Sequence, residues 1–404
     1  MRVPLASTGL RSQDIEAAIE VLQSGILTMG KKVIEFEKLM ASYLGVEYFV
    51  MMNSGSSANL AIFEAMLRPS QGEPLLHQGD GVLVPAIAWP TTIWPVVQLG
   101  LVPVFVDVDR ETLALDLNAA EEAIRNAKCP VKAIFPIHPL GRALSATDFD
   151  KFANDNNLIY VSDVCESLGS FEAGYHAGVT GLASSFSFYF SHHITTMEGG
   201  GVGTNDLSFA DDLRSIRSHG WSRDRSDVGE WTQDVSGTDA KFLFVTTGYN
   251  IRPMEIQAAI GINQIKDIDL FVGKRRNIAL KVIDALAEAT ELSVVGVDKN
   301  NLTYESSANS WMLIPIRVSG QNPKSRKKKI LEDLESRGVE TRPVLTGNFL
   351  SQPAMNRIDG NHLPASNFPI ATEITENCFL VGAHHDLSVE QIDHLCRSLQ
   401  EVQQ

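Results

Sequence analysis

Glu47-Tyr-Phe-Val-Met-Met52 runs directly into Asn53-Ser-Gly-Ser-Ser-Ala-Asn-Leu60. The first run has the length and apolar character of a buried strand. The small residues after it form a turn that opens a helix from about Ser56 to Leu67, with Leu60, Ile62, Phe63, Ala65 and Met66 as its apolar members. Strand, tight turn and helix make the first half of a βαβ unit. The rhythm continues outward. Strands are expected at 82–86, 102–107, 131–137 and 158–162, the last ending at Asp163, with helices at 91–99, 117–127 and 146–155. Strands apolar on both faces imply a mainly parallel sheet covered by helices, an α/β fold. A surface helix at 206–218 leads into Ser218-His-Gly-Trp221. Residues 222–249 are polar, Asp- and Gly-rich and weakly periodic, and read as a long loop, of a length usually functional or mobile. A single helical stretch at about 253–290 links this region to a second domain. That domain has strands near 310–317 and 339–343 and helices near 324–337 and 389–402. The basic run Lys324–Lys329 reads as a solvated helix face.

The 404 residues suit two domains. Lys and Arg number 34 against 49 Asp and Glu, a net charge of −15 that disfavours nucleic acid and anionic membranes as partners. The N-terminus, Met1-Arg-Val-Pro-Leu-Ala, lacks the apolar core of a signal peptide. The longest apolar stretch, Val96 to Val108, is interrupted by Gln98, Gly100 and Pro103 and is too short to span a bilayer. Cys129, Cys165, Cys378 and Cys396 form no CxxC pair, so a zinc site and a disulfide framework are not expected, and a cytoplasmic protein is.

Four segments carry chemistry. Asn53–Leu60 opens a helix, where free N–H groups and the positive end of the helix dipole bind anions. Val84-Pro-Ala-Ile-Ala-Trp89-Pro-Thr-Thr92 sets an aromatic ring just past a strand end, where open α/β sheets bind ligands. Tyr160-Val-Ser-Asp163-Val-Cys-Glu166 ends a buried strand on a carboxylate suited to hold the proton of a pyridinium nitrogen. Ser187-Phe-Tyr-Phe-Ser-His192-His193-Ile-Thr-Thr-Met-Glu198-Gly-Gly-Gly201 sets a hydroxyl, two histidines, an acid and a glycine run on one strand–loop–strand. Taken singly, the first three also suit an N-cap, a core tryptophan at a loop corner and an N-cap aspartate. A metal at His192 and His193 is disfavoured, because adjacent strand residues point to opposite faces.

Together these segments resemble the sugar aminotransferase family that binds pyridoxal phosphate on the aspartate aminotransferase scaffold, fold type I. The likeness spans nearly the whole chain and includes Thr28-Met-Gly30, Gly248-Tyr-Asn-Ile-Arg-Pro253 and Gly261-Ile-Asn-Gln264. It implies a three-layer α/β fold with a mainly parallel central sheet and a smaller C-terminal α+β domain. Residues 1–250 would form the large cofactor-binding domain with an N-terminal segment, and 251–404 the linking helix and small domain.

One position departs from the family pattern. Where relatives keep a lysine, counting from Ser187-Phe188 and back from Glu198-Gly-Gly200, this chain has His192, and no lysine lies between Lys151 and Lys241. Histidine has no primary amine, so it cannot hold the cofactor covalently, but it remains a base. A histidine here is similar to the sugar 3-dehydratase branch, whose features include Asp163-Val-Cys-Glu-Ser167, Ser191–Gly200, Ser218-His-Gly-Trp221 and Arg342-Pro-Val-Leu-Thr-Gly-Asn-Phe349. A related branch adds an iron–sulfur cluster through cysteines downstream of that histidine. None lies between His192 and Cys378, so no cluster is expected.

The resemblance implies roles. Pyridoxamine 5′-phosphate, interconverting with pyridoxal 5′-phosphate, would rest its phosphate on Gly55, Ser56 and Ser57, with Ser187 as a further donor. Trp89 would stack on the ring and Asp163 pair with its nitrogen. Glu166, one helical turn on, would position Asp163 or the ring hydroxyl. His192 would remove a proton from C4′ and protonate the departing C3 hydroxyl of a nucleotide-diphosphate sugar, a 4-keto-6-deoxyhexose, yielding a 3,6-dideoxy-4-ketosugar. GDP-4-keto-6-deoxymannose is favoured, with nucleotide contacts from about 222–247. Glutamate would restore the cofactor amine. Active sites would be shared within a homodimer, Asn250 reaching the partner's phosphate. His219 and Arg342 are weaker candidates for substrate contact, and His193 is expected to be structural. His384 and His385 either close the pocket or sit on a surface turn. The alternatives are a nucleotide-sugar aminotransferase and a noncatalytic pyridoxal-phosphate-binding sensor.

Overall fold

Apolar runs become strands here because helices cover them on both faces. In the computed structural model, which describes residues 1–233, 239–297, 308–358 and 363–403, these are β1 (Tyr48–Met52), β2 (Gly81–Pro85), β3 (Val102–Val106), β4 (Val131–Ile134) and β5 (Ile159–Asp163). A short hairpin, β6 (Phe171–Glu172) and β7 (Tyr175–His176), intervenes before β8 (Ala183–Ser187) and β9 (Gly200–Thr204). Seven of these strands form one sheet in the order β1-β9-β8-β5-β4-β2-β3. The pairs from β3 through β2, β4 and β5 to β8 are parallel, while β9 runs antiparallel to both neighbours. The carboxyl ends of β2, β5 and β8 therefore share one edge, which brings Trp89, Asp163 and Ser187 to the same side.

Helices α1 (Ser12–Ser24) and α2 (Lys31–Leu44) precede the sheet, and α3 (Gly55–Leu67) and α4 (Pro90–Gln98) follow β1 and β2. α3 is buried along most of its length and packs on β8 and β9. The glycine run of β9 is what admits it. A Cβ at Gly200 would lie 2.3 Å from the Gly55 nitrogen, and one at Gly201 would lie 2.4 Å from the Phe49 ring.

The stretch at 253–290 is two helices, not one. Glu255–Lys266 and Ile268–Ala285 meet at Asp267, whose φ of −111° and ψ of 11° leave the helical region. The Asp267 carboxylate accepts from Arg11, the N-cap of α1 (Ser12–Ser24), at the break. The 222–249 segment contains short helical turns at Ser222–Asp224, Val228–Thr232 and Ala240–Phe242, and its residues 234–238 lie outside the described residues.

A second, antiparallel sheet joins β10 (Leu292–Val294), β11 (Leu313–Val318), β12 (Thr341–Arg342) and β13 (Cys378–Gly382) in the order β10-β11-β13-β12. The chain's start returns to it, Val3 bridging Val339. One apolar cluster runs across the seam between the sheets, from Val84 and Phe135 to Met312, Phe349 and Leu380. All four cysteines are free thiols. Among the described residues no helix is long and apolar enough to cross a membrane.

Candidate active site

Asp163 ends β5 with its carboxylate buried. Oδ2 accepts from Asn59 Nδ2 at 2.8 Å and from Thr92 Oγ1 at 2.9 Å, and Oδ1 accepts from the Cys165 N–H at 3.1 Å. No ion pair reaches it among the described residues. A buried carboxylate held only by neutral donors is free to pair with a cationic group, such as a protonated ring nitrogen. Asn59 and Thr92 belong to the segments 53–60 and 84–92, yet nothing in their local sequence assigns them to the site. The available signal was a polar side chain on an otherwise apolar, buried helix face.

The helix start beside Asp163 begins one residue earlier than the sequence reading. Ser54 is its N-cap, accepting from the Ser57 N–H at 3.1 Å, while Ser57 Oγ donates to Asn53 Oδ1 at 2.6 Å. Gly55 and Ser56 occupy the first turn, where N–H groups have no intrahelical acceptor. Gly55 touches the end of β8. A Cβ there would lie 2.6 Å from Ser187 Cβ and 2.8 Å from Cys165 Sγ. Gly55, Ser56, Ser57 and Ser187 thus make one cradle of the kind that holds a phosphate.

Trp89 forms the N-cap of α4 and is 49% exposed, so a ring face is free to stack. The Arg342 guanidinium, from β12, lies 5.6 Å from its centroid. Glu166 is not a helical turn beyond Asp163. Residues 164–170 make tight turns instead, and Glu166 Oε2 accepts from the Leu140 N–H at 3.0 Å. Burial pushes its carboxyl up to about 7, against the pull of that N–H and of Arg342.

His192 sits in the loop between β8 and β9. Its N–H donates to the Tyr189 carbonyl at 2.9 Å, and its ring meets the Tyr189 ring edge-on at 5.9 Å. Nδ1 is shielded from solvent and has no partner among the described residues. Burial, reinforced by the Arg275 and Arg342 charges, pushes the imidazole down to about 3. It is therefore neutral, the form a base requires. His193 beside it is fully buried.

His384 and His385 do not occupy a surface turn. Both are buried, their rings stacked 4.3 Å apart. With Asp386 they offer three ligand atoms within 4.8 Å of one another. His384 Nδ1 is already used by Ser7 Oγ at 3.2 Å, and the Arg275 charge nearby opposes a cation.

His219 and Asn250 have exposed side chains and stand together on a separate segment, joined by the Ser218–Asn250 bridge. Asn250 Oδ1 accepts from Arg252 Nε at 3.0 Å. No side-chain contact among the described residues joins either to Asp163 or His192. The adjoining chain is nonetheless tied to α3, since Glu64 accepts from Thr247 Oγ1 at 2.7 Å and from Tyr249 OH at 3.2 Å.

A phosphate cradle, a stacking ring, a buried carboxylate and a neutral imidazole along one sheet edge fit a phosphorylated pyridine, and residues 9–400 match the DegT/DnrJ/EryC1/StrS aminotransferase family. The chain belongs to that family. Within the DegT/DnrJ/EryC1/StrS family it is 34% identical to a GDP-4-keto-6-deoxy-D-mannose 3-dehydratase of Yersinia pseudotuberculosis, over 98% of each chain. A crystallised variant of GDP-4-keto-6-deoxymannose-3-dehydratase with bound GDP-perosamine matches with a TM-score of 0.88 and 33% identity, covering 98% of this chain and 100% of that one. The same enzyme with a trapped PLP–glutamate geminal diamine matches with a TM-score of 0.88 and 34% identity over the same shares, 98% and 100%.

Proposed function

We propose that this chain is a 3-dehydratase of a nucleotide-linked 4-keto-6-deoxyhexose, with GDP-4-keto-6-deoxymannose as substrate and a 3,6-dideoxy-4-ketosugar as product. The observation that carries this reading is His192, a neutral imidazole with a shielded Nδ1 in the loop where relatives of the aminotransferase type keep lysine. Its likeness to the GDP-sugar dehydratases supports it.

Pyridoxamine 5′-phosphate, when bound, supplies the amine that condenses with the sugar ketone and the ring that accepts electrons as the C3–O bond breaks. The protein does the rest. The first turn of α3 and Ser187 hold the phosphate. Trp89 covers a ring face, and Asp163 keeps the ring nitrogen protonated. His192 takes the C4′ proton and returns a proton to the departing C3 hydroxyl, base and then acid in one residue. Glutamate would restore the cofactor amine. His192 offers no amine that would tether the cofactor, which would favour elimination over amine transfer. Asn250 completes the partner's phosphate site in a homodimer, and a nucleotide-sugar substrate suits a cytoplasmic enzyme.

The test is incubation with GDP- and CDP-4-keto-6-deoxyhexoses plus glutamate, following water loss at C3 by mass spectrometry. The reading expects the GDP sugar to lose water and His192→Asn to slow turnover by about 10²–10⁴-fold with cofactor still bound. An amino sugar as the product, or a borohydride-stable lysine adduct, would establish the aminotransferase instead. Cofactor binding with no turnover of any sugar would favour the sensor.

A further inference from the structure

Arg275 lies in the middle of the helix Ile268–Ala285 and is wholly buried. A buried guanidinium ordinarily faces a carboxylate. Arg275 instead directs Nη1 and Nη2 at main-chain carbonyls, while its buried Nε has no partner among the described residues. Nη1 donates to Met312 at 3.0 Å and to Trp311 at 3.4 Å, and Nη2 donates to His192 at 3.0 Å. One planar fork thus joins the loop between β8 and β9 to the chain entering β11. Trp311 holds a left-handed φ of 48°, a conformation that persists only where its surroundings impose it.

We propose that Arg275 is the positioning residue of His192: through the His192 carbonyl it fixes the main chain from which the imidazole is aimed, and it ties that main chain to the start of β11. The inference rests on the reading of His192 as the base. Arg275 never touches cofactor or substrate in this scheme. It acts through the backbone of the residue that does.

The same guanidinium acts on His192 through its charge. Among the described residues the charged groups acting on His192 are Arg275 from the helix Ile268–Ala285 and Arg342 from β12, and the Arg342 charge also acts on Glu166. Around Arg275 itself stand His193, His384, His385 and Asp386. Both guanidiniums disfavour the imidazolium, so Arg275 helps keep the base unprotonated as well as oriented.

Two variants separate the effects. Arg275→Lys keeps the charge but replaces the two-nitrogen planar fork with a single ammonium that cannot stand at both the Nη1 and Nη2 positions, and Arg275→Met removes both charge and bonds at similar volume. Each is measured for kcat and KM as cofactor-loaded enzyme, and by histidine NMR titration of the apoprotein, with the His192 resonance identified by its loss in His192→Asn. Arg275→Lys is expected to lower kcat on the order of ten- to a hundredfold with KM within about twofold, because a small misplacement of a base affects the chemical step. Its His192 resonance should stay neutral over the wild-type pH range. In Arg275→Met kcat should fall at least as far, and His192 should titrate at higher pH. Wild-type turnover in Arg275→Lys overturns the proposal, as does an unmoved His192 titration in Arg275→Met. If Arg275→Met does not fold, kcat of the lysine variant decides. The titration needs no turnover, so a wild-type protein that dehydrates no sugar counts against the dehydratase reading and leaves the Arg275 test standing.

Discussion

The side-chain amide of Asn59 donates to the carboxylate of Asp163 across 2.8 Å, joining the first turns of α3 to the end of β5. The helix proposed to hold the phosphate therefore also orients the acid proposed to face the ring nitrogen. Removing the amide leaves a buried carboxylate short of a donor, a loss of about 1.5–3 kcal/mol for a charged acceptor. Asn59→Leu is expected to weaken cofactor affinity by roughly ten- to a hundredfold. Absorbance titration of the apoprotein with pyridoxal 5′-phosphate measures it, and an unchanged dissociation constant would separate Asn59 from the site.

Gly55 is required by proximity. A methyl group there would drive into Ser187 Cβ at 2.6 Å and Cys165 Sγ at 2.8 Å. Gly55→Ala must push α3 away from β8, at a cost of about 1–3 kcal/mol for overpacking. Both the thermal midpoint and cofactor affinity should fall. A variant that melts like wild type and binds cofactor equally would show that the helix start is not held against β8.

Glu166 has the raised carboxyl, pushed up to about 7 by burial. An acid raised in the folded state binds more protons there than when unfolded. Its contribution to stability is complete below about pH 4.5 and is lost as pH rises through about 7. Glu166→Gln keeps an acceptor for the Leu140 N–H without the charge. The variant apoprotein should match wild type at pH 5 and exceed it at pH 8 by at most about 3 kcal/mol, read from urea unfolding. A variant less stable at both pH values would count against a buried, protonatable Glu166.

The buried histidines act with the opposite sign. Burial pushes His138 and His192 to about 3, His384 to about 2 and His385 to about 4. The unfolded chain, titrating near 6.5, binds more protons than the folded one below that pH. Stability present above pH 6.5 is therefore lost as pH falls, by about 1.4 kcal/mol per pH unit for each histidine. His138 is the cleanest probe, since its Nδ1 accepts from the Leu144 N–H at 3.1 Å, away from the loop that carries His192. His138→Gln is expected to make the decline between pH 6.5 and 5 shallower by about one proton, seen in the slope of unfolding free energy against pH. An identical slope would mean that His138 is protonated in the folded protein.

Much of this was legible in sequence order alone. Buried strands announce themselves by apolar composition, and β2, β3 and β5 lie close to the runs that suggested them. The helix after β1 was visible because small residues at 53–57 separate two apolar stretches. Contacts that span hundreds of residues were not legible. Nothing local in Asp267 says that the long helix will break there or that Arg11 will bind its carboxylate. Nothing near Glu166 says that Leu140 will claim its oxygen and that a tight turn will replace a helical one. His384 and His385 looked equally suited to a surface turn, and only packing against Phe271 and the Arg275 neighbourhood buried them.

The order of residues by itself determined the α/β rhythm, the cradle–aromatic–acid–imidazole series and the absence of lysine from Lys151 to Lys241, because these depend on side-chain identity and short spacing. The tertiary structure alone decided which groups share an environment: that Asn59 and Thr92 hold Asp163, and that Arg275, from a distant helix, grips the carbonyl of His192. Hydrogen bonding and desolvation act over a few ångströms of space, and the folded chain, not its sequence separation, sets those distances.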